Sequence, residues 1–179
     1  AAALDRHNAA YPHDLVALQS GHLMDFYRAS ARGLRDRIAR ALPKWTPDMP
    51  GYSILLGMHA FGLEETGDYA RAEAVGRQAV DMRPQDSWAH HAVAHVMEMQ
   101  GRADEGAAWL RLTRPDWDEN GLLACHNWWH LALAELERGD VAAVLEIYDR
   151  RILTLGLKQA LQLCDAAALL WRLDTLGHD

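Results

Sequence analysis

The most constraining feature of this sequence is a set of three glycine turns at near-regular spacing. Each pairs glycine with a charged residue, as Gly67-Asp68, Gly101-Arg102 and Gly139-Asp140, and each separates two runs of helix-forming residues. The intervals are 101 − 67 = 34 and 139 − 101 = 38 residues. Two helices joined by such a turn cannot bury their apolar face alone, so we expect successive pairs to stack on one another.

The composition indicates helix throughout. Alanine and leucine are abundant, β-branched residues are sparse, and no stretch alternates between apolar and polar residues as a half-buried strand does. An interval of 34 residues is the period of the tetratricopeptide repeat. The sequence therefore predicts an all-α fold, a tetratricopeptide-like α-solenoid of stacked antiparallel helix hairpins, as a single domain over residues 1–179.

Proline and glycine divide this predicted domain into segments. The segments are a degenerate hairpin at 11–43, repeat units at 52–84, 87–115 and 122–149, and a capping helix at 158–176. The predicted helices within them span 14–27, 34–42, 52–65, 69–82, 88–100, 103–112, 122–138, 141–148 and 158–176. The long connection at 113–121 is a candidate binding loop. The alternative is a spacer in which Trp117 fills the gap between two units.

Charge and cysteine content narrow the functional class. The net charge of −7 predicts no nucleic-acid partner, because phosphates repel an acidic surface. The chain has two cysteines, no apolar run of membrane length and no signal peptide, so we predict a cytoplasmic protein without a membrane partner. It does not begin with methionine and stops just after an amphipathic run, so we interpret it as a piece of a longer protein.

Alignment of the units on their turn glycines predicts a shared polar face. Seven residues before the glycines stand Ala60, Ala94 and Ala132, where we expect the two helices of each hairpin to approach closely. Positions three before, one after and four after this alanine share the helical face that lines the concave groove. With His126 one turn earlier in the third unit, the predicted ligand-binding residues are His91, His95, Glu98, His126, Trp129, Phe61 and Glu64. His130 falls one residue off this face.

Two histidine pairs at helical spacing predict a metal site. His91 and His95 are four residues apart, as are His126 and His130, which places the β-carbons of each pair about 5–6 Å from one another. Two imidazoles at this separation can bind one zinc or similar ion, and imidazole with carboxylate also suits iron, nickel or manganese. The candidate cofactor is therefore one divalent transition metal held by His91, His95, His126 and His130.

Other histidines and the first cysteine have a simpler interpretation. His59 and His90 fall where repeats of this kind usually place leucine and tryptophan, so we predict that both are packing residues. Cys125, His126 and Asn127 follow the order of a cysteine-protease trio. Successive helical residues point about 100° apart and cannot act in series, so Cys125 is predicted to be buried.

Several stretches resemble the family of tetratricopeptide repeat protein 38 and its bacterial relatives. They are Tyr11-Pro-His-Asp-Leu15, residues 48–65, residues 91–102 and residues 126–133. The resemblance implies an α-solenoid fold and supplies no agreed reaction. Two departures are His13, where a basic residue is expected, and a final helix that is shorter than the family's tail.

Two functional hypotheses follow. The first is a binding module, including a protein-interaction scaffold, whose groove captures a polar small-molecule or peptide ligand through the histidine, glutamate and tryptophan cluster. The second is a metal-dependent hydrolase in which Glu98 or Glu64 is the general base acting on metal-bound water.

Overall fold

The computed structural model describes residues 2–118, 123–154 and 159–178, and every regular element in them is a helix. The α-helices of these residues are α1 (Ala2–Ala10), α2 (Leu15–Tyr27), α3 (Ala31–Ala41), α4 (Tyr52–Glu64), α5 (Tyr69–Met82), α6 (Ser87–Met99), α7 (Ala103–Leu112), α8 (Arg114–Trp117), α9 (Ala124–Glu137), α10 (Val141–Ile147) and α11 (Ala160–Thr175). A 3-10 turn at Leu42–Lys44 follows α3, and a π-helical turn at Tyr148–Ile152 follows α10. The all-α prediction is confirmed. No helix within the described residues has the length and apolar character needed to cross a membrane.

The bounds of α5 and α7 agree with the predicted ranges 69–82 and 103–112. Helix α1 was not predicted, because it buries no residue and has no apolar face to reveal it. Polar contacts hold it instead: Arg37, itself 3% exposed, donates to Asn8 Oδ1 at 2.8 Å and pairs with Asp5 Oδ1 at 2.8 Å. A helix anchored by a distant arginine leaves no local signal in the sequence.

The long connection predicted at 113–121 is partly helical. Its residues 114–117 form α8, and Trp117 is buried at 1% exposure with its ring centroid 5.2 Å from that of Trp128. This agrees with the spacer alternative for Trp117. Residues 119–121 of that connection, Leu122 at the start of the third predicted unit, and Lys158 at the start of the capping helix lie outside the described residues.

The three turn glycines adopt the same conformation. Gly67, Gly101 and Gly139 have φ values of +80°, +67° and +77°, which only glycine adopts without steric cost. At each turn the residue after the glycine donates its backbone N–H to a carbonyl five residues earlier, as Asp68 does to Leu63 at 2.9 Å. The glycine itself donates to the carbonyl three residues before it. These paired bonds are the Schellman motif, which satisfies carbonyls at the end of the helix and reverses the chain.

The chain divides into two compact units, residues 1–96 and 97–179, and the division falls inside α6. Within unit 1, α4 packs between α3 and α5. Gly76 of α5 lies against α6, since a β-carbon added at Gly76 would lie 2.7 Å from Cγ2 of Val93 but only in ordinary contact, at 3.5 Å, with the β-carbon of Ala60 in α4. Phe61, Leu34 and Ala92 form one buried cluster of this unit. The prediction of one solenoid domain over 1–179 stays a prediction.

Within unit 2, α9 is the central element and contacts α7, α10, α11 and the π-helical turn. Glu135 of α9 is fully buried, and both of its carboxylate oxygens are used: Arg111 donates to Oε1 at 2.9 Å and Arg138 to Oε2 at 2.6 Å. A buried carboxylate needs such partners, because the cost of removing its charge from water is large.

A glycine in α4 sets how closely α3 can approach. A β-carbon added at Gly62 would lie 2.6 Å from the backbone nitrogen and Cα of Arg35, so backbone would have to move. We expect Gly62→Ala to lower the free energy of unfolding by about 1–3 kcal/mol. Gly106→Ala is the matched control, because its β-carbon would make only ordinary contacts, the nearest at 3.6 Å. This variant should raise the free energy of unfolding by about 0.5–1 kcal/mol, because alanine is favoured over glycine inside a helix. Urea unfolding measures both, and equal effects would contradict the packing described.

A buried imidazole makes unit 1 sensitive to acid. His22 is 2% exposed, and burial lowers its pKa to about 4. In the unfolded chain the pKa is about 6.5, so the unfolded state takes up this proton first as the pH falls. Neutral His22 contributes about 3 kcal/mol to the free energy of unfolding. This contribution is fully present above pH 6.5 and is lost as the pH falls towards 4. His22→Gln should flatten the pH dependence of the unfolding free energy over this window, whereas Gln19→Ala, at an exposed position of the same helix, should leave it unchanged.

Candidate metal and ligand site

Four polar side chains of unit 2 form a continuous series of close polar contacts. Glu98 Oε2 lies 2.7 Å from His130 Nδ1, His130 Nε2 lies 3.1 Å from His126 Nε2, and His126 Nδ1 lies 2.7 Å from Asp165 Oδ2. Helix α9 contributes both histidines, which are one helical turn apart, while Glu98 comes from the last turn of α6 and Asp165 from α11. The structure therefore brings together predicted residues Glu98, His126 and His130 and adds Asp165.

The two outer contacts determine where the imidazole protons sit. An ionised carboxylate only accepts hydrogen bonds, so each Nδ1 carries a proton and donates it to Glu98 or Asp165. A neutral ring protonated at Nδ1 presents a lone pair at Nε2. The Nε2 atoms of His126 and His130 face one another at 3.1 Å, so two lone pairs converge on one point. Such an arrangement is stable when a positive species, either a proton or a metal ion, lies between the two nitrogens.

The separation of these two nitrogens fits one metal ion. Zinc–nitrogen bonds of about 2.0–2.1 Å with ligand angles between square and tetrahedral place two ligating nitrogens about 2.9–3.4 Å apart. The observed 3.1 Å falls in this range. Metal-ligating histidines commonly donate their other ring N–H to a carboxylate, which orients the ring and raises its basicity. Both rings of this pair have that partner, at 2.7 Å in each case.

Burial and aromatic contacts shape this cluster. The side chain of His130 is 3% exposed and that of His126 is 14% exposed, while Asp165 is 6% exposed. Trp129 stacks on His126 with an interplanar angle of 14° and a centroid separation of 5.2 Å. The guanidinium of Arg172 lies 5.7 Å from the Trp129 ring centre. The predicted ligand-binding residue Trp129, which is partly exposed, therefore lies directly beside the imidazole pair.

The remaining predicted site residues come together within unit 1. The rings of His91 and His95 have centroids 4.2 Å apart, and the Phe61 centroid lies 5.3 Å and 5.7 Å from theirs. Glu64 is 4% exposed, and its Oε2 lies 3.4 Å from His95 Nδ1. Phe61, Glu64, His91 and His95 thus form one compact cluster within unit 1.

A second carboxylate joins this cluster. Glu65, Glu64 and His95 each offer a ligand atom within 4.8 Å of the others. Burial raises the pKa of Glu65, and the negative charge of Glu64 raises it further. Two neighbouring carboxylates beside an imidazole favour the binding of a cation, because the repulsion between their negative charges is otherwise uncompensated.

Three further predictions concern packing. His90 is fully buried, and its Nε2 lies 2.6 Å from the carbonyl oxygen of Pro84. His59 is 6% exposed, and burial lowers its pKa. Cys125 is 3% exposed, and burial raises the pKa of its thiol to about 11, so it stays protonated near neutral pH. All three are placed as packing residues.

Asp165 and Glu65 were not predicted from the sequence. Asp165 occupies the buried side of α11 with Ala166, Leu169 and Leu173. A lone acidic residue at helical spacing within an apolar face is the signal that could have found it, because an ionised carboxylate is rarely buried without a partner. Glu65 carries no comparable signal, since it directly follows Glu64 at the end of a helix.

A search against models of known protein families finds no match to this chain. The resemblance to the family of tetratricopeptide repeat protein 38 stays a prediction carried by the stretches quoted above.

Proposed function

We propose that this protein is a metal-dependent binding module of the tetratricopeptide-repeat type. His126 and His130 hold one divalent transition metal, and the metal together with Trp129 captures a polar small-molecule or peptide ligand. The observation that carries the proposal is the convergence of two imidazole Nε2 atoms at 3.1 Å, each with its Nδ1 on a carboxylate. Nitrogen ligands favour zinc, copper, nickel or iron over magnesium or calcium.

The ligand groups expected at such a site follow from its chemistry. A metal held by protein nitrogens keeps coordination positions for outside donors when the protein fills only part of its shell. Carboxylate, hydroxyl or amide oxygens of a ligand can take those positions. The adjacent indole of Trp129, partly exposed, provides a flat apolar contact for the rest of the ligand. The predicted partner is therefore a polar compound or peptide with a coordinating group.

Binding is favoured over hydrolysis by the placement of Glu98. A general base must reach the water bound to the metal. Oxygen Oε2 of Glu98 is instead 2.7 Å from the Nδ1 of His130, where it orients the ring. Glu98 is accordingly assigned a supporting role, and the hydrolase hypothesis loses one of its two proposed bases. The other, Glu64, belongs to the cluster around His95 in unit 1.

The repeat architecture is part of the proposal. Three Schellman turns with the same bonding pattern and a buried alanine seven residues before each glycine are typical of tetratricopeptide hairpins. The sequence also predicts that His91 and His95 contribute to metal binding. This stays a sequence-based prediction, and it is tested by its own variant.

The metal proposal predicts stoichiometric binding. Protein purified without a histidine tag, in a Cys164→Ser background that removes an exposed thiol, should bind about one equivalent of zinc in calorimetry. His126→Ala/His130→Ala should lose this binding. Loss of a residue that only hydrogen-bonds to a ligand typically lowers metal affinity roughly 10- to 100-fold, and loss of the ligands themselves lowers it further. His91→Ala/His95→Ala tests whether the second pair also holds the ion.

The matched control is His13→Ala/His178→Ala, which removes two exposed histidines. It should retain full zinc binding. Circular dichroism and thermal unfolding verify that every variant is folded. Folded wild-type protein that takes up no zinc, nickel or copper would refute the metal and leave a shared proton between the two rings.

The carboxylate beside His126 should tune affinity without supplying a ligand. Asp165→Asn keeps the shape and one acceptor oxygen, and it removes the charge that raises the basicity of the ring. We expect zinc affinity to fall roughly 10- to 100-fold with unchanged stoichiometry, measured by competition with a chelator. Asp174→Asn, at an exposed position of the same helix, should leave affinity unaltered. Equal affinities for all three proteins would contradict the assigned role.

A further inference from the structure

A pocket of unit 2 is lined by four arginines. It has a volume of about 440 Å³, and its lining includes Arg111, Arg114, Arg150 and Arg151 together with one acidic residue, Glu146. The chain carries 18 basic and 25 acidic residues, so the gathering of four arginines at one pocket opposes the overall charge. Leu131 and Ile147 contribute apolar surface to the same pocket.

The arginines come from two separate parts of the chain. Arg111 lies in the last turn of α7, and Arg114 begins α8. Arg150 and Arg151 lie in the π-helical turn that follows α10. A π-helical turn is rare and is found frequently at functional sites, because the wider coil changes the direction of its side chains. Here it brings two consecutive arginines to the pocket.

The acidic partners of three of these arginines are distant. Arg114 Nε lies 4.0 Å and Arg151 Nη1 lies 3.8 Å from the same oxygen, Oδ2 of Asp118. The other oxygen of Asp118 accepts a hydrogen bond from Trp128 Nε1 at 2.6 Å. Arg150 Nη1 lies 3.6 Å from Glu146 Oε1. These separations exceed hydrogen-bonding distance, so the ion pairs leave donor capacity for an incoming anion.

Two of the arginines are held in position. Arg111 is tied by Nε and Nη2 to Oε1 of fully buried Glu135, at 2.9 Å and 2.7 Å. The guanidinium of Arg151 lies over the Trp128 ring, 4.8 Å from its centre. A fixed planar guanidinium loses little entropy when it binds an oxyanion, and its fork of N–H donors matches phosphate geometry.

We propose that this pocket binds the phosphate group of a small phosphorylated organic molecule. The guanidinium groups donate hydrogen bonds to the phosphate oxygens, and Leu131 and Ile147 contact the apolar part of the ligand. The volume lies within the range of small-molecule sites. Nucleic acid would require basic surface that extends along its backbone, whereas these four arginines line one pocket. The site is distinct from the imidazole pair, and its occupancy does not depend on the metal.

Phenyl phosphate is the probe, titrated by calorimetry in buffer with EDTA so that no metal-bound phosphate contributes. We expect saturable one-to-one binding that is tighter than the binding of inorganic phosphate, because the phenyl ring buries apolar surface. Arg114→Gln/Arg150→Gln should weaken it roughly 10- to 100-fold, from the loss of charge-assisted hydrogen bonds. Both side chains are at least half exposed, at 51% and 76%, and Arg111 is kept because buried Glu135 needs it.

The matched control is Arg28→Gln/Arg71→Gln, which also removes two positive charges, but from exposed positions in unit 1. Its affinity for phenyl phosphate should equal that of the wild type. An equal loss in both double variants would show general charge attraction and overturn the pocket. So would the absence of saturation at millimolar probe, or arginine-dependent binding of anionic lipid vesicles without any binding of phenyl phosphate.

Discussion

Each of the three predicted hairpin turns depends on one glycine in the left-handed region. Only glycine takes this conformation without crowding its β-carbon against the backbone, and the Schellman bonds then close the helix at that residue. Because the helix ends at a defined residue, the position of each preceding side chain relative to the turn is defined as well. The placement of α9 side chains relative to its own turn at Gly139 follows from this constraint.

Within unit 2, the cost of burying charge organises the polar residues. Glu135 is paired with two arginines, and Asp165 and Glu98 are paired with imidazoles. A lone buried carboxylate is strongly unfavourable, so each acidic residue on the inner side of a helix requires a donor opposite it. In the first case the pairing is structural, because both oxygens are used by arginines. In the second it directs two nitrogen lone pairs to one point, which is an arrangement suited to a cation.

Much of the fold could be predicted because its signals are local. Helix α5 was predicted to its ends by the glycine turn before it and the proline after it. Asp86 directly precedes α6 and is a residue type that commonly caps helices, and its Oδ1 accepts hydrogen bonds from the backbone N–H groups of Trp88 and Ala89. Helix α1 escaped prediction, since its anchor is Arg37 from a later helix. The π-helical turn after α10 has no known local signature, and the arginine pocket could not be anticipated without it.

The sequence by itself determined the helical class, the positions of the turns, and the fact that His126 and His130 share one side of a helix, because each of these depends on residues within a few positions of one another. Only the tertiary structure decided that Glu98 and Asp165 meet the two imidazoles from opposite ends and that Arg111 and Arg151 meet at one pocket. Those contacts join residues tens of positions apart, and their geometry is set by how helices pack. Side-chain packing between distant segments has no period along the chain from which it could be inferred.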